Sequence, residues 1–256
     1  MTTIELAGLE VFGHHGVNED ERRDGQRFLY DLELEVGEAG SSDRIEDAVD
    51  YREVAACIRE VSESRAFHLL EALAAAVASR AVELGAEMVN DVTALRGDPA
   101  LAEVVAEHDV YLCLMHMQGE PRTMQAAPRY DDVVSEVVAF LEERLEHAVA
   151  RGIREDRICL DPGIGFGKAV EQNLELVRRL DALVALGRPV LVGFSRKSSL
   201  GRILGDPTAT VGTMPASLGA AVAAFEHGAS MLRVHDVLET VEALAIAAAV
   251  ERNAIA

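Results

Sequence analysis

The chain has 256 residues, 49% of them hydrophobic, so it holds enough apolar material for the core of one large domain or two small ones. Its net charge of −20 argues against nucleic acid, which selects basic patches, and against adhesion to anionic membranes. No apolar run approaches the roughly 18 residues of a membrane helix and no signal peptide is visible, so a cytoplasmic protein without a membrane span is expected.

The first eighty residues read as α+β. Ile4 to Phe12 is an apolar strand with a phase change at Gly8-Leu9, the mark of a bulge. Phe28, Tyr30, Leu32, Leu34 and Val36 alternate with Asp31, Glu33 and Glu35, which predicts a half-solvated antiparallel strand. Tyr51, Val54, Ala55, Ile58 and Val61 follow helical spacing, and a second helix carrying Leu69, Leu70, Leu73 and Val77 begins near His68.

From about residue 85 the rhythm changes to strand, loop, helix. Strands fall near 87–92, 110–115, 157–161, 189–194 and 230–235, and helices near 99–107, 131–151, 171–186, 214–227 and 237–251. Apolar strands with little alternation, separated by amphipathic helices, predict a parallel sheet buried on both faces. One βαβ unit takes about 30 residues and a closed eight-unit barrel about 250, so residues 79–256 hold five units and not eight. The three cysteines, Cys57, Cys113 and Cys159, lack zinc spacing, and the last two sit inside predicted strands as packing residues, which fits a reducing compartment.

Three of these strands end in chemically loaded loops. Ile158-Cys159-Leu160 runs into Asp161-Pro-Gly-Ile-Gly-Phe-Gly-Lys168, where a carboxylate tips the strand and three glycines let the backbone turn tightly. The alternative reading of this stretch, taken alone, is a glycine-rich turn with a surface lysine. The run ending at Phe194 continues into Ser195-Arg-Lys-Ser198, and the run from Met231 to Val234 carries Arg233, His235 and Asp236. The chain has only two lysines, Lys168 and Lys197, and both fall in such loops. The C-terminal ends of parallel strands are where (β/α) barrels keep their chemistry.

With Asn90-Asp-Val-Thr-Ala-Leu-Arg96 and Leu114-Met-His-Met117 followed by Pro121-Arg-Thr-Met-Gln125, these motifs resemble, in order and spacing, the C-terminal part of dihydropteroate synthase over about residues 79–250. Gly13-His-His-Gly-Val17, Glu21, Gly25-Gln-Arg-Phe28, Val49-Asp-Tyr51 and Leu69-Leu-Glu71 resemble dihydroneopterin aldolase over about residues 1–78. The two families act in one pathway, folate biosynthesis. The expected architecture is a partial TIM-barrel-like α/β region with five of eight strands (79–256), preceded by an α+β aldolase-like fragment of two strands and two helices (1–78).

The resemblance to the synthase implies a reaction in which the amine of 4-aminobenzoate displaces pyrophosphate from 6-hydroxymethyl-7,8-dihydropterin diphosphate. It implies that Asp161, Asn90 and Lys197 hold the pterin, with Asp161 and Lys197 catalytic and Met115 and Phe166 as walls. Met115 could equally be core filling. It places Ser198 and Phe166 at the aminobenzoate and Arg233 and His235 at the pyrophosphate, where two cation-capable donors suit an anion. The aldolase resemblance implies Glu21 and Glu71 as pterin anchors, with Tyr51 acting from a neighbouring subunit. His14 and His15 lack partners at metal spacing, and no metal site is assigned to them.

Each resemblance is partial. The aldolase lysine has no counterpart, and the synthase strands expected before residue 87, with the loops for Mg2+ and pyrophosphate, are not found in the sequence. The chain therefore reads as a truncated fusion joined within Leu69–Leu84. A non-catalytic pterin-binding or assembly protein and a residual aldolase are the alternatives to a transferase. Open strand edges predict a homo-oligomer.

Overall fold

The computed structural model describes residues 2–37, 51–119 and 123–251, with the side chains of 9–30, 52–69, 72–119 and 123–250. The chain divides into two compact units: residues 1–88 with 97–110, and residues 89–96 with 111–256. Residues 79–88 and 99–108, which the sequence rhythm groups with the C-terminal part, thus fall in the first unit.

In the first unit, β1 (Thr2–Gly13) and β2 (Gln26–Gly37) pair antiparallel, joined through α1 (Glu19–Asp24). Their register shifts between Leu6 and Leu9, where the sequence changes phase. Helix α2 (Tyr51–Ser64) buries Cys57, Ile58 and Ser62, one face of a 3.6-residue period. Helix α3 (Leu70–Glu83) is the expected alanine-rich segment, and it ends before Gly85, whose φ of +106° suits a glycine. Helix α4 (Pro99–His108) starts with proline in its first turn and Asp98 as its cap, accepting from the Ala100 amide at 2.9 Å.

In the second unit, strands β3 (Met88–Asp91), β4 (Tyr111–Met115) and β5 (Ile158–Asp161) form one sheet in that order, and β6 (Leu191–Val192) pairs parallel with β7 (Met231–Leu232). A parallel bridge between Leu160 and Val190 joins the two sheets, so the strands follow each other in sequence order. Between and after them run α5 (Val133–Ala150), α6 (Val170–Arg178), α7 (Asp181–Val184), α8 (Ser198–Ile203), α9 (Met214–Glu226) and α10 (Val237–Glu251). Sequential strands with intervening helices give the α/β arrangement that the apolar runs imply.

Two helical assignments need correction. The stretch 171–186 is not one helix: it breaks after Arg178, and Arg179 turns to face Asp132 across 3.3 Å. Residues 198–203 form α8 rather than loop, and α1 likewise lacks the long period that a sequence reading needs. The core behaves as expected of a doubly covered sheet. Leu112 through Met115 and Ile158 through Leu160 are all buried, with Cys113 opposite Cys159 in register. Among the described residues, no helix is long and apolar enough to cross a membrane.

Candidate active site

The C-terminal ends of the five strands bring Asn90, Met115, Asp161, Ser195 and Arg233 to one rim of the second unit. Asp161 ends β5 directly beside Met115 at the end of β4. The residue is fully buried. One carboxylate oxygen accepts the Gly163 amide at 2.7 Å and the other accepts Arg233 Nη2 at 3.1 Å. Burial pushes the Asp161 carboxyl above its usual range, and Arg233, the Gly163 amide and Lys168 oppose that push. A buried acceptor of this kind is selective for a ligand that brings its own N–H donors.

The loop that follows is built on glycines for a steric reason. Gly163, Gly165 and Gly167 all have φ between +63° and +81°. A Cβ on Gly163 would collide with the His116 carbonyl oxygen, and one on Gly167 with that of Gln118. The loop therefore lies flat against the segment leaving β4. Lys168 closes it from beneath. It is 3% exposed, and its ammonium reaches His116 Nδ1 at 2.9 Å and the carbonyls of Gly163 and Phe166 at 3.0 Å each. His116 accepts this bond as a neutral ring, because burial and then Lys168 hold it down to about 3. Burial likewise brings Lys168 down to about 7. Lys168 is thus an internal tie rather than a surface cation.

Lys197 is placed differently. It caps α8 from the loop after β6, and its ammonium lies 4.4 Å from the centre of the Phe166 ring, a cation–π contact. Its aliphatic stem rests on Gly165. Burial, then Arg233, lowers its proton affinity, with Asp161 opposing. Ser198, the first residue of α8, is half-buried beside it. Phe166 is also half-buried, whereas Met115 is fully buried and fills the core side of the rim.

Arg233 and His235 do not converge on one point. Arg233 reaches back over Gly193 to Asn90 Oδ1 and Asp161 Oδ2, both at 3.1 Å. His235 is exposed and its Nδ1 sits 2.9 Å from the hydroxyl of buried Ser195. The neighbouring Arg196 is engaged with Asp236 at 2.7 Å.

Several supporting residues were not singled out from the sequence. Asp91 accepts the amides of Thr93 and Leu95, which shapes the turn after β3. Buried Arg144 of α5 donates to the carbonyl of Ala94 at 2.8 Å, where the backbone is left-handed. Asn173 of α6, 1% exposed, accepts the Gly165 amide at 2.8 Å. The Asp-x-Thr spacing is a readable turn signal for Asp91; nothing local marks Arg144 or Asn173, whose partners lie on other elements.

In the first unit, Glu21 accepts the Asn18 amide at 3.0 Å as part of the α1 cap. The side chains of Tyr51 and Glu71 lie outside the described residues. His15 is fully buried, accepting the Phe67 amide at Nδ1 and meeting Ser62 Oγ at 2.8 Å, so it is a neutral packing histidine, its proton affinity lowered by burial.

Among the described residues no three His, Cys, Asp or Glu side chains converge on a metal position. The described residues therefore provide no acidic cage for the magnesium that the resemblance implies. A cavity of about 550 Å³ is lined by Tyr130 and Asp132 before α5 and by Glu175 and Arg179 toward the end of α6, and Asp161 is not part of its lining.

Residues 29–235 match the family model described as "Pterin binding enzyme". The dihydropteroate synthase of Neisseria meningitidis serogroup B is 44% identical over 165 residues, 63% of this chain and 58% of that protein. The dihydropteroate synthase of Mycobacterium leprae is 34% identical over 270 residues, covering 96% of this chain and 95% of that protein. Among solved structures, the dihydropteroate synthase of Thermus thermophilus in complex with 4-aminobenzoate superposes with a TM-score of 0.62 at 44% identity, covering 70% of this chain and 74% of that one. The chain thus spans less than two-thirds of the Neisseria relative, while the family match and the Mycobacterium alignment both reach upstream of residue 79.

Proposed function

The chain belongs to the pterin-binding enzymes and, within them, to the dihydropteroate synthase family, and from that premise we propose that it acts in folate biosynthesis on a dihydropterin. The substrate would be 6-hydroxymethyl-7,8-dihydropterin diphosphate, joined to 4-aminobenzoate with loss of pyrophosphate. The observation that carries this reading is the buried Asp161 carboxylate, which shares the Arg233 guanidinium with Asn90 at the strand-end rim.

In this reading Asp161 accepts the amino and ring N–H donors of the pterin, and Asn90 completes the edge. The Lys197 ammonium, already against Phe166, borders the ring and the aminobenzoate, with Ser198 beside it. The aminobenzoate nitrogen attacks the pterin methylene, the C–O bond to the diphosphate breaks, and the nitrogen loses a proton. Arg233 and His235, both cation-capable, supply donors for the departing anion.

A second reading, pterin binding without turnover, is favoured by one observation: Arg233 is engaged with the pterin acceptors rather than standing free for an anion. Pyrophosphate release that depends on 4-aminobenzoate, and that Lys197→Ala abolishes, would support the transferase. Pterin binding with release at background would support the second reading.

The finer readings are also proposals. Residues 1–78 as an aldolase-like fragment rest on the motifs around His14-His15 and Glu21, and Glu21 would have to leave its cap to serve a ligand. Self-association would cover the outer edges of β3 and β7.

A further inference from the structure

Asp161 has one oxygen turned inward to the Gly163 amide and one turned outward, and Arg233 covers the outward one. The same guanidinium donates to Asn90 at 3.1 Å. It therefore satisfies both acceptors that the pterin reading assigns to the ligand. The chemistry matches as well. A guanidinium presents N–H donors around one sp2 carbon, and the 2-amino-pyrimidinone edge of a pterin presents an amino group and a ring N–H in the same planar N–C–N unit.

Resting on the pterin reading, we propose that Arg233 is an internal stand-in for the pterin edge, a latch that selects pterins carrying a diphosphate. The two partners of the pair differ in freedom. The Asp161 side chain is 1% exposed and fixed at the end of its strand, whereas that of Arg233 is 32% exposed on a long flexible stem. When a ligand enters, Arg233 is the group that swings. Its charge then needs a new partner, and a diphosphate ester brings one. A bare pterin must displace Arg233 with nothing to receive it. His235, exposed on the same strand end with Nδ1 held by Ser195, is the second donor at the receiving position. The Asp161 charge stays compensated throughout, first by Arg233 and then by the N–H groups of the pterin. Arg233 is thus a specificity-determining residue as well as an anion donor.

The latch makes two ligands cooperative, and the test uses the wild-type chain. Binding of 6-hydroxymethyl-7,8-dihydropterin is titrated with and without saturating inorganic pyrophosphate. Pyrophosphate draws Arg233 away and should tighten the bare pterin by about fivefold or more, within the usual range of coupling between sites. Arg233→Met should abolish that coupling and bind the bare pterin at least as tightly as wild type does alone. Arg233→Lys, which keeps the charge without the planar fork, should bring the bare-pterin affinity near that of Arg233→Met. Unchanged or weakened pterin binding on adding pyrophosphate overturns the latch, as does weaker binding of the bare pterin by both variants. A wild-type chain that binds neither the bare pterin nor its diphosphate ester overturns the pterin reading itself, and the latch with it.

Discussion

The loop after β5 and the loop after β6 each carry one of the chain's two lysines, in contrasting surroundings. Lys168 is buried and donates to backbone carbonyls and a neutral histidine, which are acceptors that cannot leave. Lys197 is half-buried, and among the described residues its ammonium faces the Phe166 ring. The glycines divide in the same way. Gly163 is walled by the His116 backbone, while Gly193 is covered by the far end of the Arg233 side chain. The first loop is a fixed floor and the second is an adjustable wall. A site that works as proposed, holding one ring and releasing an anion, needs both, because preorganised contacts lower the cost of binding and movable ones allow exchange.

The glycines provide the largest expected contrast. Gly163→Ala forces a left-handed residue into a backbone collision and should cost about 3 kcal/mol, read as a lowered urea midpoint. Gly193→Ala meets only a flexible side chain at a φ that L residues adopt, and should stay within about 1 kcal/mol of wild type. Equal costs would erase the distinction between floor and wall.

The lysines come next. Lys168→Met strands His116 Nδ1 and several carbonyls and should cost about 2 kcal/mol. Lys197→Met removes one cation–π contact and should cost less than about 1 kcal/mol while weakening pterin binding. The opposite ranking in thermal melts would mean that Lys197, not Lys168, ties the floor.

A smaller effect follows from protonation. Burial lowers the folded-state value of Lys168 from the ordinary 10.5 to about 7. Between those values the unfolded chain binds more protons than the folded one, so stability from this group rises with pH. Below about 7 the cost of the buried charge is fully present; above 10.5 it is gone. The stability difference between wild type and Lys168→Met should therefore change in favour of wild type from pH 7 to 10. A flat difference would show that the carbonyl acceptors hold the charged form as well as water does.

Much of this was readable in the sequence, for identifiable reasons. The apolar runs place β3 to β7 and most of their helices, because burial on both faces leaves continuous hydrophobic stretches. The strand-end position of Asp161 and the need for glycine at 163, 165 and 167 follow from the motif itself. The split between the lysines does not. Whether a lysine in a glycine-rich loop turns inward depends on carbonyls supplied by another strand, here His116. The pairing of Arg233 with Asn90 joins residues 143 positions apart, and no local pattern encodes it. The division of units is similarly non-local, since α4 falls with the first unit although it follows β3 in sequence.

The central claim is that buried Asp161 recognises a dihydropterin. Isothermal titration of the wild-type chain with 6-hydroxymethyl-7,8-dihydropterin diphosphate, beside Asp161→Asn, tests it most directly. Replacing the carboxylate by an amide removes a charge-assisted acceptor, so affinity should fall about tenfold or more while the fold is retained. Binding by wild type that Asp161→Asn leaves unchanged, or no binding by a folded wild-type chain, would contradict the account.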